Sequence, residues 1–198
     1  MKRKTAIAII AFKDSLPILM GYGTMGFAAG IVFAACSNTA HPAAWSAIIA
    51  ATSFSGTLHF AIGCWFRDNA SLLFVALATL GISFRYAFYG FSLIGKWKNI
   101  PLVKKMFLIL GLTDENYALE SSRHFLMRRD FTRYCLILSG LNLCYWTSGC
   151  TLGALFGSAL KIPDKGVDFV MAALFITILT DQIRDIVKGI ARKERGAK

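Results

Sequence analysis

The residues best suited to chemistry are few, and they lie in apolar surroundings. Arg85 sits about fifteen residues into a stretch that is otherwise uncharged after Asn69. A charge at that depth in hydrocarbon is costly, so such an arginine faces an aqueous cavity, pairs with a partner or snorkels to a helix end. Tyr86 and Tyr89 flank it, and Tyr89, four residues on, shares its helix face. His59 lies in Phe54-Ser55-Gly56-Thr57-Leu58-His59-Phe60, with Ser55 four residues earlier on the same face. An imidazole at membrane depth relays protons, binds a substrate, or packs as a neutral hydrogen-bonded group. Asp114 and Glu115 are adjacent. Thr113 is suited to cap a helix beginning there, which puts both acids at its positive end. The functional alternative is a carboxylate offered to a substrate ammonium or to a coupling proton. Asn142 and Trp146, four apart, bring hydrogen-bonding groups into another uncharged stretch.

None of these groups completes an enzyme. There is no Walker loop, no Gly-x-Ser-x-Gly, no His-Glu-x-x-His and no Rossmann fingerprint. No catalytic residue is assigned. His41, His59 and His124 show no ligand spacing with cysteine, so neither a metal nor a cofactor is expected. Cys36, Cys64, Cys135, Cys144 and Cys150 read as small apolar residues.

The elements that must position these residues follow from composition. Of 198 residues 56% are apolar and 17% charged, and mean hydropathy is +0.54. A soluble domain carries about a quarter charged residues, so a soluble domain, a disordered chain and a secreted disulfide scaffold are all excluded. Lys and Arg number 22 against 11 acidic residues, a net charge of +11. The basic residues cluster between apolar stretches, which points to membrane loops and away from nucleic acid. The fold expected is all-α: a single integral-membrane domain over 1–198 with five or six transmembrane segments. A bilayer span needs roughly 20 apolar residues. The segments fall at about 16–36, 43–66, 71–94, 106–120, 134–160 and 167–183. The stretch 106–120 is short, and reads as a crossing, a re-entrant segment or a helix buried in the bundle. Lys2-Arg3-Lys4 and the apolar run to Phe12 resemble a signal peptide, but Lys13-Asp14 closes the run without a clear cleavage site. With six crossings the termini and the 121–133 loop are cytoplasmic, and Lys96, Lys98, Lys104 and Lys105 lie outside. With five, one basic terminus lies outside. Each breaks the positive-inside preference once, and six is the arrangement expected.

Glycines punctuate two of these segments. Gly26 and Gly30 are four apart, as are Gly149, Gly153 and Gly157. Small residues at that interval let helix backbones approach, either within the bundle or against a partner subunit. Pro17 with Gly21, Gly23, Gly26 and Gly30 suggests a broken helix, the device by which transporters expose backbone groups to a substrate.

Three stretches together resemble the AzlC-type permeases, the large subunits of bacterial branched-chain amino-acid exporters. They are Pro17 to Gly30, Phe54 to Phe60, and the pair Phe84-Arg85-Tyr86-Ala87-Phe88-Tyr89-Gly90 and Leu112-Thr113-Asp114-Glu115-Asn116-Tyr117-Ala118-Leu119. The likeness covers about 15–183. That family usually has Gln where His59 stands, and its Arg motif has Asn and His where this chain has Ser83 and Tyr86. The resemblance implies a multi-pass permease of the bacterial cytoplasmic membrane. It exports small apolar amino acids with a small AzlD-type membrane partner, and coupling to protons is an option. A zwitterion needs a positive contact, a negative one and an apolar pocket. Arg85, or amides of a broken helix near Gly21, suit the carboxylate; Asp114 or Glu115 suits the ammonium; Phe54, Phe60 and Tyr89 suit the side chain. Ser55, Gly56 and His59 complete the expected substrate-binding set. The competing readings are a non-transporting membrane scaffold packed through its glycine faces, and an intramembrane enzyme.

Overall fold

The computed structural model describes residues 2–93, 100–122 and 128–160, together with 95, 97, 176 and 180. The chain divides into two compact units, Met1–Lys161 and Ile162–Lys198. Seven helices build the first: α1 (Lys2–Cys36), α2 (Pro42–Ser53), α3 (Gly56–Arg67), α4 (Leu72–Leu93), α5 (Leu102–Leu110), α6 (Asp114–Ser122) and α7 (Arg128–Leu160). The described residues contain no strand, in keeping with the all-α class. Among them one helix, Lys4–Cys36, is by itself long and apolar enough to cross a bilayer. The segment expected at 167–183 falls almost wholly outside the described residues.

Helices α1 and α7 form a parallel spine, and glycine is the reason they can. Gly26 faces the backbone of Trp146 and Cys150, with a Cβ there only 3.2 Å from Trp146 O. Gly30 faces the backbone of Cys150 and Ala154, Gly153 that of Phe27, and Gly157 that of Ile31. Positions rise together on both helices, so they run in the same direction. Pro17 and the glycine cluster do not break α1, which continues for 35 residues. One turn before Pro17 the Ser15 hydroxyl donates to Phe12 O at 2.8 Å. Near the start of both helices Tyr134 donates to Asp14 Oδ2 at 2.7 Å.

The break lies elsewhere. Residues 43–66, expected as one crossing, are two 12-residue helices, α2 and α3, folded back on each other. Ser46 Oγ is 3.0 Å from His59 Nε2. Trp45 packs on Phe66 with ring centroids 6.1 Å apart. A straight helix would hold that last pair ~30 Å apart. The reversal is at Phe54, left-handed at φ 40° and ψ 43°. Ser55 follows as the N-cap of α3, its Oγ accepting from Leu58 N–H. Both ends of the pair lie beside the end of α1, where Cys36 Sγ and Cys64 Sγ are 3.1 Å apart.

The 106–120 stretch is also a pair of short helices, α5 and α6, joined by Gly111-Leu112-Thr113. It opens the other way. Ile100, Leu108, Tyr117 and Leu119 pack in one cluster with Ile7, Ala11, Leu93, Trp97, Phe131, Tyr134 and Leu138, where α1 and α7 begin and α4 ends. The joint lies farther along the spine, with Gly111 against Ser139 and Thr113 against Tyr22. Two V-shaped pairs thus enter from opposite ends and meet near the middle of α1.

Two results are expected from this packing. Mild oxidation should join Cys36 to Cys64, seen as loss of two thiols when maleimide is added after denaturation, and abolished by Cys64→Ser; a straight 42–67 helix would leave both thiols free to label. Gly30→Ala and Gly153→Ala should each lower thermal stability, since overpacking against backbone costs ~1–3 kcal/mol and outweighs the gain in helix propensity. Gly21→Ala, whose Cβ meets nothing within 4 Å, should not; melting followed by size exclusion in detergent checks the order.

Candidate functional site

The two tips meet at Tyr22. Its hydroxyl lies 2.8 Å from Thr113 Oγ1 and 2.8 Å from Glu115 Oε2. A phenol has one proton and an ionised carboxylate only accepts, so Tyr22 donates to Glu115 and the threonine proton completes the second contact. Thr113 Oγ1 also accepts from Asn116 N–H at 3.3 Å, which caps the first turn of α6. The Tyr22 ring meets Phe54 edge-on at 6.0 Å and Trp146 at 5.7 Å. One side chain of α1 therefore touches the α2–α3 tip through its ring and the α5–α6 tip through its oxygen.

Polar groups continue on both sides. Asn142 of α7 donates to Asn116 Oδ1, and Asn116 donates to Gly111 O. On the other side Ser46 donates to Cys150 O at 3.2 Å. Its one proton is then used, so the contact with His59 must be a donation from Nε2–H to Ser46 Oγ. This fixes the tautomer and leaves His59 Nδ1 an acceptor. His59 is wholly buried between the rings of Phe33, at 5.5 Å, and Trp146, at 6.1 Å. His59 Nδ1, Asn142 Oδ1 and Trp146 Nε1 are buried with no hydrogen-bond partner among the described residues. A closed core rarely leaves three such atoms bare, because each costs ~1–3 kcal/mol.

The residues singled out in the sequence divide into two groups. Phe54, Ser55, Gly56 and His59 come together at the α2–α3 tip, and Glu115 joins them through Tyr22. Gly21 does not: it is exposed on α1, and a Cβ there would meet nothing within 4 Å. Asp114 and Glu115 are both exposed at the start of α6, and of the two only Glu115 bonds to Tyr22 in this region. Tyr89 stacks on Tyr117 of α6 at 4.6 Å, away from the tips. The Arg85 side chain lies outside the described residues. Tyr22, Ser46 and Asn116 belong to the core of this region without having been singled out. Tyr22 had a local signal, one large polar-tipped ring between two glycines. Ser46 had none, since its partner is 13 residues away across a reversal.

Tyr22→Phe keeps the ring contacts and removes the clasp. It should lower stability by ~0.5–1.5 kcal/mol, the net worth of a hydrogen bond whose acceptor Glu115 is exposed, and a thermal melt in detergent reads it.

Comparison with known proteins adds the family. A family model described as AzlC protein matches residues 17–160. The chain is 30% identical over 172 residues to the branched-chain amino acid transport protein AzlC of Bacillus subtilis, covering 87% of this chain and 66% of that protein. It is 31% identical over 178 residues to an uncharacterized membrane protein of Haemophilus influenzae, covering 89% and 71%. To the inner membrane protein YgaZ of Escherichia coli it is 26% identical over 175 residues, covering 84% and 69%. The chain thus spans slightly less than two thirds of the length of its Bacillus relative. No solved structure matches.

Proposed function

The chain belongs to the AzlC family, and from that premise we propose that it is a multi-pass permease of a bacterial cytoplasmic membrane. It carries small apolar amino acids, branched-chain ones among them, out of the cell together with a small AzlD-type membrane subunit. The observation that carries this reading is the meeting of two short-helix pairs, entered from opposite ends, at Tyr22. Irregular backbone at membrane depth is tolerated where protein buries it or where it lines a cavity, and transporters place substrate at such breaks.

The membrane setting draws on the exposed side chains. Leu72, Leu73, Leu77, Leu80, Phe84 and Phe91 all project from α4 with more than half their surface open, and α5 and α7 carry further exposed apolar residues. So much exposed apolar surface belongs in lipid, not water. In this topology α1, α4 and α7 cross, and the two pairs are re-entrant; three crossings precede residue 161 in place of five. The revision removes the conflict over charge. Lys4, Lys104, Lys105, Arg129 and Arg133 all fall at the end where α1 and α7 begin, which becomes the cytoplasmic side.

The site suits a zwitterion with an apolar side chain. Glu115 supplies a negative contact for the ammonium, and Phe54, Tyr22 and Trp146 supply aromatic walls. The alternative of a scaffold loses its main support, because the glycine faces of α1 and α7 are occupied by each other.

Amino-acid efflux is the test. Cells expressing this chain are loaded with leucine, valine, isoleucine and methionine, with and without an AzlD-type partner. Partner-dependent efflux of one or more of them is expected. No efflux of any, with both subunits present in the membrane, overturns the reading.

A further inference from the structure

Resting on the membrane setting proposed above, we infer that the basic end of the first unit holds an acidic phospholipid, its phosphate beside Lys104 and Lys105 of α5 and its acyl chains along the apolar side of that helix.

The sequence of α5 divides it in two. At 3.6 residues per turn, Leu102, Val103, Met106, Ile109 and Leu110 share an arc of roughly 120°. Four of them keep more than half their surface open, and Ile109 keeps 48%. Leu108 faces the other way and is buried in the cluster with Ile7, Ala11, Phe131 and Tyr134. Lys104 and Lys105 fall on either side of the Leu108 stripe, one turn earlier. Thus α5 turns an apolar side outward and brings two cations to the edges of its contact with the cluster. An apolar arc bordered by lysine suits a helix lying where acyl chains meet headgroups.

Charge then selects the lipid. Lys4 lies one turn before Ile7 on α1, and Arg129 and Arg133 flank Phe131 on α7, so cations on three helices border the same cluster. Lys4, Lys104 and Arg129 are exposed, and Lys105 and Arg133 are partly so. None of the five forms an ion pair with a described residue; the ion pair among the described residues is Arg67 with Asp68, at the other end of the bundle. The acids near this end are turned inward or engaged. Asp14 accepts from Tyr134, Glu120 is only 1% exposed, and Asp130 is partly buried. Helix α5 itself carries no acid. A soluble anion would answer the charge alone. An acidic phospholipid answers both halves of α5, with a phosphodiester for the lysines and chains for the apolar arc.

Native mass spectrometry of the protein purified in detergent is the test, with phosphatidylglycerol and phosphatidylcholine of the same acyl chains offered in equal amounts. The unaltered protein should retain phosphatidylglycerol at least ~10-fold over phosphatidylcholine. Lys104→Gln should lower that preference ~5-fold, and Lys105→Gln added to it should lower it further. Arg67→Gln should leave it unchanged, and a thermal melt checks that each variant is folded. Glycerol 3-phosphate in excess should not displace the lipid, since it offers the phosphate without the chains. Equal retention of the two lipids by the unaltered protein overturns the inference whether or not any variant folds. So does a preference untouched by the double substitution in folded protein. Displacement by glycerol 3-phosphate would make a free phosphate ester the ligand, and a dimer carrying no lipid would make a second copy the occupant; either result also overturns it. The readout is separate from efflux. Lipid preference without efflux removes the transport reading alone, and efflux without lipid preference removes this inference alone.

Discussion

The contact between α1 and α7 is made by bare backbone, and every other placement depends on it. At Gly30 and Gly153 a single added carbon would overlap the opposing main chain. Nothing else allows two long parallel helices to lie so close, and closeness sets the geometry between them. Tyr22, four residues before Gly26 on α1, faces Trp146, three before Gly149 on α7. The aromatic centre is thus fixed from both helices by the same packing. The short helices then need only reach that centre. Neither α2 nor α3 is long enough to cross a bilayer, and α5 and α6 are shorter still.

Much of this was legible in the residues. The all-helical class, the glycine pairs and the first turn of α6 were all readable, because each rests on local periodicity or on a local capping rule. The reversals were not. Hydropathy adds up side chains and carries no sign of direction, so the 24 uncharged residues 43–66 look the same straight or folded back. The break expected at Pro17 fell instead at Phe54, a residue type that sequence rules do not place in left-handed backbone. What a reader could have used is Ser55-Gly56: a capping residue and a glycine in the middle of an apolar run. The candidate site was half legible for the same reason. Motif residues on one helix turn, Ser55 with His59, were found together; Ser46, Asn116 and Tyr22 became partners only through the two reversals.

The charge pattern had carried the hint. Counting 43–66 and 106–120 as crossings put one group of basic residues on the wrong side whichever total was chosen. Treating both as excursions from the side they start on returns Lys104, Lys105, Arg129 and Arg133 to one face. In the topology proposed above, chain reversal is what resolves the conflict in the positive-inside rule.

Glu115 has one further consequence. Its carboxylate now receives the only proton that Tyr22 has to give, and that bond is part of what fastens α1 to the α5–α6 tip. In the function proposed here the same carboxylate receives a substrate ammonium. It cannot serve both equally well. An arriving guest would compete with the latch for one anchor, and a departing guest would hand it back. Occupancy and closure would then be two uses of a single group, and no separate messenger between site and gate would be required.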